Sequence, residues 1–75
     1  MKNKLKEIRE SKGMSQEQLS LKSGVSRPTI SMIETNSLSN IESNTMLKLA
    51  IALDCDIGDI FFKETVVFSH QKDKD

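Results

Sequence analysis

The chain has 75 residues, 36% of them hydrophobic and none of them Trp or Tyr, enough for one compact core and little more. Charged residues make up 29% with no net charge, and no apolar run approaches the ~18 residues of a membrane span, which argues against both a disordered polyelectrolyte and a transmembrane protein. The single cysteine excludes an internal disulfide framework and fits a cytoplasmic protein, and the N-terminus carries no secretory apolar region.

Leu5 and Ile8, with Arg9 and Lys12 next on the same side, predict a first helix near residues 3–12, ended by Gly13. Ser15 is placed to cap a second helix near 16–22, with Leu19 and Ser20 facing inward. This helix closes on Lys22-Ser23-Gly24, where glycine tolerates the positive φ of a reversal. Ser26 can cap a third helix near 27–35, with Pro28 in its first turn and Ile30 and Ile33 inward. Two short helices joined by three or four residues form a helix-turn-helix, and the small Ser20 lies where they approach.

Thr35 to Ile41 reads as a polar loop. A fourth helix near 43–54 carries Met46, Leu47, Leu49, Ala50 and Leu53, apolar on most sides and therefore expected to be central. Asp56, with Asp59 three residues on, caps a short fifth helix whose apolar residues are Ile57, Ile60 and Phe61. These elements set an all-α, five-helix domain over 1–62. A tail over 63–75 contains a β-prone stretch at 65–68 that is too short to stand alone but could pair with a second copy. Its last residues are polar and expected to fray.

The zero net charge conceals an asymmetry. Residues 1–31 hold seven cations and three anions, whereas residues 32–62 hold one cation and five anions. The basic half carries the helix-turn-helix, as phosphate contact requires. The weak overall field leaves much of that contact to backbone amides and neutral side chains.

The array R-x-x-x-G-M-S-Q-E-Q-L-S-x-x-S-G-V-S-x-x-x-I-S-x-I-E, from Arg9 to Glu34, resembles the lambda-repressor-like, Cro/repressor-type helix-turn-helix family. The downstream T-M-L-K-L-A-I-A-L-D-C-D-I-G-D-I-F is similar to the two packing helices of that fold, so the resemblance spans residues 3–62. It implies a transcriptional regulator, usually a repressor, that binds double-stranded operator DNA as a homodimer on an inverted repeat. It also implies that Gln16 braces a phosphate and the recognition helix, and that Arg9 and Glu34 form an internal ion pair. Ser20 stands where the family more often has Ala, and Asn36 where it has Gly. Ile41 occupies the usual Pro region, in a loop about one residue longer than in many members.

With ~100° per residue, Ile30 and Ile33 define the buried side of the third helix, and Pro28 and Met32 point most directly away from it. Base reading is therefore expected from Arg27, Pro28, Thr29, Ser31 and Met32, with Pro28 and Met32 suited to thymine methyl groups. Arg27 suits a phosphate equally well, and a plain exposed residue is the lesser alternative for Met32. Phosphate contact is expected from Ser15, Gln16, Ser26, Asn36, Ser37 and Asn40, although Asn36, Ser37 and Asn40 are also ordinary turn formers. Cys55, between two aspartates, is expected to be buried, and His70 has no neighbour at metal-ligand spacing. No carboxylate is paired with a nucleophile, so no catalytic residue, metal or cofactor is expected. Small members of the family resemble phage repressors, restriction–modification controllers and antitoxins. The partners considered beyond DNA and a second copy are accordingly RNA polymerase and an antagonist protein. The alternative to a regulator is an interaction module that neutralises a partner protein.

Overall fold

The structure, a computed structural model, describes residues 3–38 and 40–61. The β-prone stretch at 65–68, His70 and the rest of the tail lie outside these residues. The described part contains five helices: α1 (Leu5–Ser11), α2 (Gln16–Ser23), α3 (Arg27–Glu34), α4 (Ser43–Ala52) and α5 (Ile57–Ile60). The all-α expectation holds, and the only β feature among the described residues is a single antiparallel bridge between Asn3 and Phe61.

Local chemistry explains most of the boundaries. The Ser15 hydroxyl accepts from the Gln18 N–H at 3.0 Å, and the Gln18 side chain accepts from the Ser15 N–H at 2.8 Å, a reciprocal capping box. Gly24 ends α2 at φ 78°, and its N–H donates to the Ser20 carbonyl. The three residues Gly24 to Ser26 make the turn, and the Ser26 hydroxyl accepts from the Thr29 N–H to start α3. After α3, Asn36 adopts φ 60°, filling the left-handed position that its residue type tolerates best after glycine. Asp54 does the same after α4 at φ 55°, a second left-handed stop that the sequence pattern did not reveal.

Leu5, Leu19, Ile30, Ile33, Leu49, Leu53, Ile60 and Phe61 form the centre of one core, with Met14, Leu38 and Ile41 packed half-buried against it. α2 packs on both α3 and α4, α4 on α5, and α1 on α3. Ile30 and Ile33 face this core as the pattern implied.

Three expectations need correction. α4 is not apolar-buried on most sides: Leu47 and Ile51, one turn apart, form an exposed stripe because the core covers the side that carries Met46, Leu49, Ala50, Ala52 and Leu53. Cys55 is half-buried, since it follows the last turn of α4 at the margin of the core. The first helix starts at Leu5 and not at residue 3, because Asn3 bridges to Phe61 and Lys4 bonds the end of α5. There the Lys4 N–H donates to the Ile60 carbonyl at 2.7 Å, and the Asn3 side chain accepts from the Leu5 N–H at 2.9 Å.

Candidate nucleic-acid interface

Glu34, the last residue of α3, is the hub of the site's polar frame. Arg9 Nε donates to one carboxylate oxygen at 2.6 Å and Arg9 Nη2 to the other at 3.1 Å, a two-pronged pairing. The two side chains are only 9% and 3% exposed. Arg9 Nη1 donates to the Met14 carbonyl at 2.6 Å, which ties the turn before α2 into the same cluster. The hydrogen bonds that Arg9 donates to Glu34 raise its pKa further above an already high value, against a lowering by burial, so the guanidinium stays charged. Gln16 Nε2 completes the frame by donating to Glu34 at 2.9 Å. The Arg9–Glu34 ion pair and a bond from Gln16 to the end of α3 are thus present among the described residues.

A second hold on α3 was not foreseen. Asn3 Nδ2 donates to the Ile33 carbonyl at 3.0 Å and lies 3.4 Å from Asn36 Oδ1, a long contact. Asn3 therefore caps the end of α3 from a distant part of the chain. Its local signal, an Asn two residues before a helix start, is readable in sequence, but its bond to α3 spans 30 residues and is not.

The outward side of α3 is the candidate reading surface. Arg27 and Pro28 are exposed, Met32 is 41% exposed, and Thr29 and Ser31 are half-buried. The Thr29 hydroxyl accepts from Ser26 Oγ at 2.8 Å, which turns it toward the start of the helix. Thr35 Oγ1 donates to the Ser31 carbonyl at 3.0 Å and lies 2.8 Å from Ser37 Oγ.

Of the residues expected to touch phosphate, all but Asn40 fall at the two ends of this helix. Ser15 and Gln16 sit beside its C-terminal end through the Gln16–Glu34 bond, and the exposed Asn36 and Ser37 follow it. Exposed Ser26 caps the opposite end. Asn40 is exposed in the loop toward α4 and no described bond joins it to this group. No group of His, Cys, Asp and Glu among the described residues is arranged to hold a metal ion. Burial, followed by the charge of Asp59, pushes the Cys55 thiol up, which disfavours the reactive thiolate.

A short helix with one exposed face, following a capped turn and framed at both ends by polar groups, is a helix-turn-helix arrangement. The helix-turn-helix family model matches residues 5–60. The chain belongs to the Cro/repressor-type helix-turn-helix family. Among solved structures, this helix-turn-helix chain is similar to one in the SinR protein/SinI protein complex. The match has a TM-score of 0.75 and 28% sequence identity, and covers 92% of this chain and 69% of the other. None of the curated proteins compared matches the sequence. Family and neighbour together make the protein a DNA-binding transcription regulator. No described helix is long and apolar enough to cross a membrane.

Proposed function

We propose that the protein is a repressor that binds an inverted-repeat operator as a homodimer in the cytoplasm, with α3 lying in the major groove. The carrying observation is the placement of α3: one face is exposed while its ends are flanked by Ser15, Gln16, Asn36 and Ser37 on one side and Ser26 on the other. Phosphate rows border a major groove on both sides, so a reading helix flanked in this way can contact both. Arg27, Pro28, Thr29, Ser31 and Met32 are assigned to base edges, and Asn40 joins the phosphate group. Two copies would set their recognition helices ~34 Å apart, one turn of DNA.

Selection of bound duplexes from a random pool tests this. The expected result is an inverted repeat with half-sites one turn apart, bound with an affinity that falls steeply with salt. Recovery of no preferred sequence overturns the reading. A second reading, capture of a protein partner, is favoured by the exposed Leu47–Ile51 stripe and by the neighbour's presence in a two-protein complex. Binding of a partner protein without sequence-specific DNA binding would select that alternative.

A further inference from the structure

Resting on the operator reading above, we propose that α3 recognises pyrimidine C5-methyl groups through Pro28 and Met32, so that methylation of cytosine in the operator strengthens binding. At ~100° per residue Pro28 and Thr35 lie opposite Ile30 and Ile33, with Met32 to one side and Ser31 at a similar angle to the other; of these two, Met32 is exposed and Ser31 half-buried. Pro28 has no N–H and no polar side chain, and the thioether of Met32 is at best a weak acceptor. Thr35 carries a hydroxyl, but that group is turned back onto the Ser31 carbonyl and Ser37. The centre of the reading face therefore presents no free strong hydrogen-bonding side chain. Arg27 and Ser31 lie at its flank, and Thr29 is turned toward Ser26.

The apolar mark of the major groove is the C5-methyl of thymine. 5-Methylcytosine carries the same methyl on the same ring carbon, with an amine where thymine has O4. A side chain that contacts the methyl without bonding O4 does not distinguish the two. Pro28 and Met32 are four residues apart, ~6 Å along the helix, which matches about two base-pair steps. Met32 is flexible and polarisable, so its chain can settle over a methyl at either step.

The test uses the full chain and the selected duplex. Each thymine of a half-site is replaced in turn by deoxyuridine, which removes the methyl and leaves every hydrogen-bonding group. Binding is read by fluorescence anisotropy. At one or two positions affinity should fall about fourfold, the factor for one CH2-sized group returned to water. At those positions a 5-methylcytosine·guanine pair should bind more tightly than cytosine·guanine by a similar factor. Both differences should vanish in Met32→Ser or Pro28→Ser, whose folding is checked by thermal melting. Equal affinity for thymine and deoxyuridine at every position, or a difference that persists in both variants, overturns the proposal. A protein that selects no duplex defeats the operator reading and this proposal with it. Methyl insensitivity in a protein that does select one defeats this proposal alone.

Discussion

α3 is joined to its neighbours by directional bonds at its C-terminal end and capped at its start, whereas α4 is joined by apolar contact along its length. Glu34 is gripped by Arg9 and Gln16, the Ile33 carbonyl by Asn3, and the start of α3 by the Ser26 cap. α4 begins at Glu42 without a side-chain cap bond and is held by Met46, Leu49, Ala50 and Leu53. Apolar burial is non-directional and sets how tightly a helix is held. Hydrogen bonds with narrow geometry set its rotation as well. The helix that presents a reading face adds directional bonds to the apolar burial of Ile30 and Ile33, and α4, which packs on α2 and α5, relies on apolar contact. Charge follows the same division, basic over residues 1–31 and acidic over 32–62.

The largest effect should come from breaking the frame at its hub. Arg9→Ala leaves Glu34 buried without its counter-ion and should destabilise the fold by about 3–5 kcal/mol, measured by urea unfolding. Replacing both partners, Arg9→Met with Glu34→Leu, should recover most of that stability yet still weaken operator binding. A double variant that binds operator like the wild type would break the comparison, because orientation would then not depend on the polar frame. Leu49→Ala, at a fully buried position on α4, should lower stability by about 2–5 kcal/mol. Its operator affinity should be unchanged at a temperature where it remains folded, as anisotropy titration can show.

The smallest effect sharpens the contrast at the helix ends. Asp54→Gly relieves a left-handed residue after α4 and should raise stability by about 0.5 kcal/mol in thermal unfolding. Asn36→Gly relieves the same strain after α3 but also removes the contact with Asn3, so its gain should be smaller. Equal gains at the two sites would show that Asn3 adds nothing through Asn36.

Much of the site was legible because its signals are local. Ser15 and Ser26 cap helices two or three residues away, and Gly24 needs only the turn that it makes. The Ser15–Gln18 box was readable too, though only its Ser15 half had been anticipated. The Arg9–Glu34 pair became visible through resemblance to a family, since nothing local joins residues 25 apart in sequence. The exposed stripe of Leu47 and Ile51 was misjudged because an all-round apolar helix does not say which side the core will cover.

The sequence by itself determined the five helices in order, the Ser15 and Ser26 caps, the turn at Gly24 and the outward direction of Pro28 and Met32. Each of these rests on contacts within about one helical turn or on the ~100° periodicity of a helix. Tertiary structure decided that Asn3 grips the end of α3, that α4 leaves one stripe uncovered, and that Cys55 sits only at the margin of the core. Those outcomes depend on which distant segments meet, and burial is shared among whichever surfaces come together.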